Sequence, residues 1–316
     1  MASIASTRLP VGYLLPRTDW TIKFRKTWEP ERWVDNVHRA DGAQKHGYRG
    51  GLSEGSHMTS KLAEPLVNFF GEHWYKGGRL KVKVLPAYEG ESLFSSIQVT
   101  GRIEEEGRVR YDMSASLVKT TGEVALVGEA SCAVPYTGQP LPAASLRPSK
   151  EGVRTREQPL YGHGKLGPQH IVPHTWEGIV ANEVMGPVDF TVRPESHVKS
   201  LDALNIFHSW FWDASPWGGP MLLPCETWCM ARVLSRWKYG PMNRQLWTFT
   251  DWTFLGPTFV GEPLYGWLRV TDKYWKREKP YVLVEAWVEN ARGEVVFRSF
   301  DELLLLLSLP RDVKLR

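Results

Sequence analysis

Two stretches of this 316-residue chain set acid, imidazole and glycine side by side just ahead of an apolar segment. The first, "WVDNVHRADGAQKHGYRGGLSEG", carries Asp35, His38, Tyr48, Glu54 and Gly55. The second, "DALNIFHSWFWDASPWGGPMLLP", carries Asp202, Asn205, His208, Trp210, Trp212 and Trp217. A carboxylate and an imidazole suit proton transfer near neutral pH. A glycine turn feeding a helix adds unbonded first-turn N–H groups and a favourable dipole, which can receive negative charge developing on an oxygen. Blander readings stand beside these. His38 is then a polar loop residue, His208 a hydrogen-bonded core imidazole, and Asp35 and Asp202 local turn caps. His57 reads as an ordinary first-turn residue and His163, His170 and His174 as solvated.

The elements that must position these residues come as a repeat. Tyr48-Arg49-Gly50-Gly51-Leu52 aligns with Trp217-Gly218-Gly219-Pro220-Met221 at an offset of 169 residues, and "PAYEGE" (86–91) aligns with "PTFVGE" (257–262) at 171. The second offset also pairs Val99-Thr100 with Val270-Thr271 and Gly122-Glu123 with Gly293-Glu294. Such ordered self-similarity predicts two copies of one architecture. Each copy runs from the glycine turn into a helix, Ser56 to Phe70 and then Cys225 to Trp237. Pro224 sits at the second helix's first position, where a missing N–H costs nothing. Alternating strand patterns follow: "LKVKVL", "SLFSSIQVT", "RVRYDMSASLV" and "EVALVGEASCAV", then "LWTFTDWTFL", "PLYGWLRVT", "PYVLVEAWV" and "EVVFRSFDELLLLL". One helix and several long antiparallel strands predict a sheet curled around the helix. The domains are expected at 1–135 and 177–316, joined by a polar, Pro- and Gly-rich connection over 136–176.

Composition narrows the classes. Apolar residues at 42% and charged residues at 23% describe a chain that folds. A net charge of +4, scattered rather than striped, argues against a nucleic-acid partner and is compatible with a phosphate-bearing ligand. The N-terminal residues lack the apolar core of a signal peptide, and "LLLLL" (303–307) falls far short of the ~20 residues of a membrane helix. The expectation is a cytoplasmic protein with no membrane span. Cys132, Cys225 and Cys229 suit a reducing compartment, and no ligand spacing points to a metal. Ten of the fifteen Trp lie between Trp210 and Trp287. That density predicts either an aromatic core or a lining for a bulky apolar, aromatic or polycyclic acyl group.

The order of "GYRGGLSEG", helix, "PAYEGE" and "GEVALVGEA" resembles the MaoC-like enoyl-CoA hydratases and dehydratases in their double-hotdog form, over about Arg17 to Leu309. The resemblance implies an α+β fold of two curved antiparallel sheets, each wrapped around a central helix, whose edges can pair into one continuous sheet. It also implies a substrate carried as an acyl thioester on coenzyme A or a carrier protein, with no separate cofactor, and a site between the halves. Hydration of a conjugated thioester needs a base for the water, an acid for the α carbon and a donor for the enolate oxygen. The family takes the first two from an Asp and a His in D-x-N-P-x-H and the third from a glycine N–H at the hotdog helix. Here His38 falls near the family's His, Trp33 stands in the Asp position with Asp35 the nearest acid, and "H-G" becomes Glu54-Gly55. In the second copy Asn205 and His208 keep the N-x-x-H spacing, Ala203 takes the Asp position beside Asp202, and Pro224 replaces the glycine. The oxyanion role then passes to the Cys225 N–H or to the first copy.

The reading is a hydro-lyase with one composite site: polar groups from the first half (His38, Asp35, Glu54, Gly55, Tyr48) and a lining from the second (Asn205, Trp210, Trp212, Trp217), with His208 and Asp202 as the alternative pair. Other readings are a cyclase, isomerase or eliminating enzyme using Glu54 or His208, a thioesterase, and a non-catalytic hotdog subunit. A homodimer is compatible with each.

Overall fold

The computed structural model describes residues 9–23, 37–105, 107–135, 175–228 and 245–306. Five strands belong to the first half: β1 (Asp19–Thr21), β2 (Gly78–Val84), β3 (Ser92–Glu105), β4 (Arg108–Lys119) and β5 (Val124–Pro135). Five belong to the second: β6 (Val184–Phe190), β7 (Gln245–Phe254), β8 (Leu264–Lys276), β9 (Lys279–Glu289) and β10 (Val295–Leu305). The helices are α1 (Ala40–Lys45), α2 (Gly55–Phe70), α3 (Pro194–Leu204) and α4 (Ser209–Trp212), and residues 224–228 begin the second copy's helix.

The strands form where apolar residues alternate. In β4, Val109, Tyr111, Met113, Ala115 and Leu117 are all buried on one face, against α2. The helix α2 starts as expected at the glycine turn and ends at Gly71, whose φ of 55° favours glycine. It is buried on nearly every side, as a helix wrapped by a sheet must be.

The duplication is visible in geometry. Leu52 bridges Tyr88 and Met221 bridges Phe259, at the two sequence offsets. Gly90 and Gly261 share a φ near 80°, Gly122 and Gly293 both lie at positive φ, and the β3/β4 register slips at Val99/Gly101 as β8/β9 does at Val270/Asp272. Each marker is thus a turn or a bulge placed alike in both copies.

The expectation of two sheets is corrected in one respect. All ten strands form one antiparallel sheet, in the order β1-β3-β4-β5-β2-β7-β10-β9-β8-β6. The join is β2 against β7, from Gly78↔Phe254 to Lys83↔Phe249, so the edge that each half would expose is satisfied by the other. Arg79 and Asp251 clasp it with Nε to Oδ1 at 2.7 Å. The short β1 and the strand β6, broken by Gly186-Pro187, were not expected, nor was α3. Most of the 136–176 connection, residues 229–237 where the second helix was expected to continue, Asp35 and Cys229 lie outside the described residues.

Candidate active site between the two halves

The first glycine turn is built around His38. Its Nδ1 lies 2.8 Å from the carbonyl of Leu52, while the Leu52 N–H donates to the carbonyl of Val37 at 2.9 Å. A carbonyl can only accept, so Nδ1 carries the hydrogen and, in the neutral ring, Nε2 is the basic nitrogen. Gly51 permits this closeness, because a Cβ there would stand 2.5 Å from the His38 carbonyl oxygen. "PAYEGE" then fastens the turn: Ser53 N–H donates to the Ala87 carbonyl at 2.7 Å, and the Glu91 carboxylate pairs with Arg49 and Lys119. The Arg49 guanidinium covers the Tyr88 ring at 4.4 Å.

Beyond the turn, Glu54 caps α2 through its backbone and its side chain meets His57, Oε2 to Nε2 at 3.4 Å, with both side chains largely buried. His57, expected to be an ordinary first-turn residue, is therefore the partner of a candidate catalytic carboxylate. An i,i+3 spacing on a helix start could have signalled this. Gly55 opens α2, and a Cβ there would fall 2.6 Å from Cε3 of Trp247 and 3.3 Å from Cγ1 of Val84. Only glycine lets the second half's indole lie directly on this helix start.

His38, Tyr48, Glu54 and Gly55 share one cleft of about 160 Å³ at the junction of the halves. The second half supplies Trp228, Gln245, Trp247 and Thr248. Trp228 and Trp247 stack at 4.2 Å between centroids, 25° apart. Burial, with smaller effects from Tyr88 and Tyr281, pushes the Tyr48 phenol up, so it stays a neutral donor at ordinary pH.

The second copy's candidates are placed elsewhere. Asp202 is exposed on α3, and Asn205 is that helix's left-handed cap, its carbonyl taken by Lys61. The His208 Nδ1 accepts from the Trp210 N–H at 3.1 Å, capping α4, and burial holds its pKa down. An imidazole spent on a cap is not a proton shuttle to the cleft. Trp210 and Trp217 pack on each other and, with Tyr75, in the core, while Trp212 is 44% exposed and donates to the Ile206 carbonyl. The second-half indoles that line the cleft are Trp228, on the second helix, and Trp247, on β7, in place of the expected Trp210, Trp212 and Trp217. The Cys225 N–H does not take the oxyanion role either, because it donates to Ser60 Oγ of α2 at 2.8 Å. The cleft is also smaller than the roughly 300–1,000 Å³ of drug-sized ligand sites, which fits a bulky polycyclic group poorly.

Among the described residues no group of three His, Cys, Asp or Glu is placed to hold a metal ion, and no helix is long and apolar enough to cross a membrane. No family model and no curated protein sequence matches the chain. Solved structures do. A putative MaoC domain dehydratase from Chloroflexus aurantiacus is similar at a TM-score of 0.65 with 13% identity, covering 94% of this chain and 95% of that one. A conserved hypothetical protein from Mycobacterium tuberculosis with a double hotdog fold gives 0.61 and 12%, covering 94% and 96%. A MaoC-like dehydratase gives 0.58 and 13%, covering 94% and 98%. The chain thus has the hotdog fold in its double form, and it shares that fold with MaoC-like dehydratases.

Proposed function

We propose that the chain is a hydro-lyase that adds water to, or removes it from, an α,β-unsaturated acyl thioester. The observation that carries this is the convergence of His38, Glu54 and the α2 helix start in one cleft. The thioester oxygen would sit at the first-turn N–H groups of Gly55 and Ser56, which have no intrahelical partner and lie at the positive end of the helix dipole. His38 Nε2 would take a proton from water as its oxygen bonds to the β carbon. The electron pair of the double bond moves toward the thioester oxygen and returns to take a proton at the α carbon. Glu54, kept beside His57, is the group that would deliver it. Asp202, exposed on α3, and His208, capping α4, have no part in this mechanism, and Asp35 lies outside the described residues.

The acyl group is proposed to be carried on coenzyme A or a carrier protein, with no further cofactor. The reaction is proposed to run in the cytoplasm, consistent with the buried Cys132 thiol, in a monomer or homodimer. The shared fold supports the reaction class by analogy. The test is loss of enoyl-thioester absorbance with crotonyl- and cinnamoyl-CoA. Turnover is expected, and His38→Ala and Glu54→Gln should each lower kcat/KM by about 10²–10⁴ with the fold retained. No turnover, or release of free coenzyme A in place of hydration, would refute the hydro-lyase.

A further inference from the structure

Asp301, on β10, is 2% exposed and faces no cation among its hydrogen-bond partners. Its carboxylate accepts from three neutral donors: Trp228 Nε1 at 2.8 Å, Ser299 Oγ at 3.0 Å and Thr250 Oγ1 at 2.5 Å. Thr250 and Ser299 are fully buried and sit on neighbouring strands, so the socket is rigid. Burial pushes the carboxyl up to about 6, while Thr250, Trp228, Ser299 and, least, the neighbouring Trp247 indole pull the other way. In its ionised form the carboxylate accepts from all three. A buried charge without a cation is expensive, and an apolar residue would fill the space more cheaply.

Its position suggests what it does. The indole whose N–H it holds stacks on Trp247, and Trp247 lies against Gly55 at the helix start. Behind Trp247 stands Trp252, at 5.7 Å and fully buried. The stack is thus clamped on the Trp228 side by a fixed acceptor and on the other by the core.

We infer that Asp301 is a positioning residue of the cleft: by holding the Trp228 indole it fixes the Trp228–Trp247 stack as an end wall above Gly55, which admits only a short or flat acyl group. The acyl part rests on the hydro-lyase reading, whereas the hold on the indoles does not. Asp301 touches no substrate and takes no part in proton transfer.

The test uses the full chain and two readouts. Stacked indoles give an exciton couplet in far-ultraviolet circular dichroism. Other indole pairs, Trp267–Trp287 and Trp210–Trp217 among them, contribute a background that these variants leave in place, so the readout is the difference spectrum against wild type. Trp228→Phe and Trp247→Phe should each remove the contribution of their shared stack, Asp301→Asn, which keeps an acceptor, should retain it, and Asp301→Leu should lose it. A couplet unchanged in Asp301→Leu overturns the positioning role. The second readout is calorimetric binding of saturated butyryl- and decanoyl-CoA, which needs no turnover. Wild type should prefer butyryl-CoA by at least ~10-fold, within the range a hydrophobic pocket gives against added methylenes. Trp247→Ala should remove that preference, and Trp228→Phe, which keeps a ring but lacks the N–H, should weaken it even if Asp301→Leu fails to fold. Unchanged preference in both variants overturns the wall. Intact selectivity without hydration overturns the reaction instead, and no thioester binding at all overturns the acyl part while the couplet still decides the hold on Trp228.

Discussion

Replacing Gly55 by alanine tests whether the two halves meet at the helix start as described. The added Cβ would stand 2.6 Å from Trp247 Cε3, a separation that requires movement. The indole cannot simply rotate away, because Trp228 stacks on one side and Trp252 packs on the other. Overpacking of this kind costs about 1–3 kcal/mol. Against it stands the smaller conformational freedom that alanine has in the unfolded chain, worth about 0.4–1 kcal/mol. The net is a destabilisation of about 1.5 kcal/mol, or a Tm lower by about 3 °C at roughly 2 °C per kcal/mol for a chain of this size. Urea denaturation of Gly55→Ala, Trp247→Leu and the double variant measures it. In the Trp247→Leu background the alanine should be close to neutral, a coupling of about 1.5 kcal/mol between residues in contact. A Gly55→Ala protein as stable as wild type, or stabilised by the unfolded-state term alone, would refute the contact.

Two other buried charge clusters carry predictions. Lys61 and Glu64, 1% and 3% exposed on α2, pair at 2.6 Å and bind the second half through the Asn205 carbonyl and the Phe207 N–H. Lys61→Met or Glu64→Gln alone should cost about 3–5 kcal/mol, because each leaves a buried charge uncompensated. The double change should cost clearly less than the sum, and additive denaturation energies would refute the pairing. His197 faces acceptors at both ring nitrogens, Glu226 Oε2 at 2.6 Å and the Phe211 carbonyl at 2.7 Å, so it is an imidazolium. Burial opposes that charge, but the Glu226 bond and charge and the Phe211 carbonyl outweigh it and raise the pKa. A raised folded pKa stabilises fully below the unfolded value of about 6.5, and the contribution is lost as pH rises through the folded value. The stability gap between wild type and His197→Gln should shrink over that rise, and a pH-independent gap would refute the imidazolium.

Much of the fold was legible because its repeat markers are backbone devices. Gly90 and Gly261 adopt the same positive φ, and the bulges after Val99 and Val270 re-aim the same strands. Local chemistry of this sort survives divergence that erases side-chain identity. The strand β6 was not legible, since "VMGPVDF" breaks its alternation with a glycine and a proline. In the site, His38, Glu54 and Gly55 could be read because they lie within one turn and its helix. Trp228 and Asp301 could not, being 73 residues apart and joined only by the second helix packing on β10. His208 misled for the opposite reason: its N-x-x-H spacing matches a motif, but that spacing also suits a side chain capping the next short helix.

The β2–β7 seam changes what each half is free to become. In a pair of identical hotdogs every substitution appears twice, so a residue that plugs one helix start plugs both. Covalent linkage removes that constraint. Here Ser60 of one helix closes the other's first turn at Cys225, and Pro224 opens that helix without an N–H to lose. The same asymmetry leaves Gly55 bare beneath a foreign indole. One copy's indole thus walls the other copy's cleft, and the shared sheet holds the two in that register.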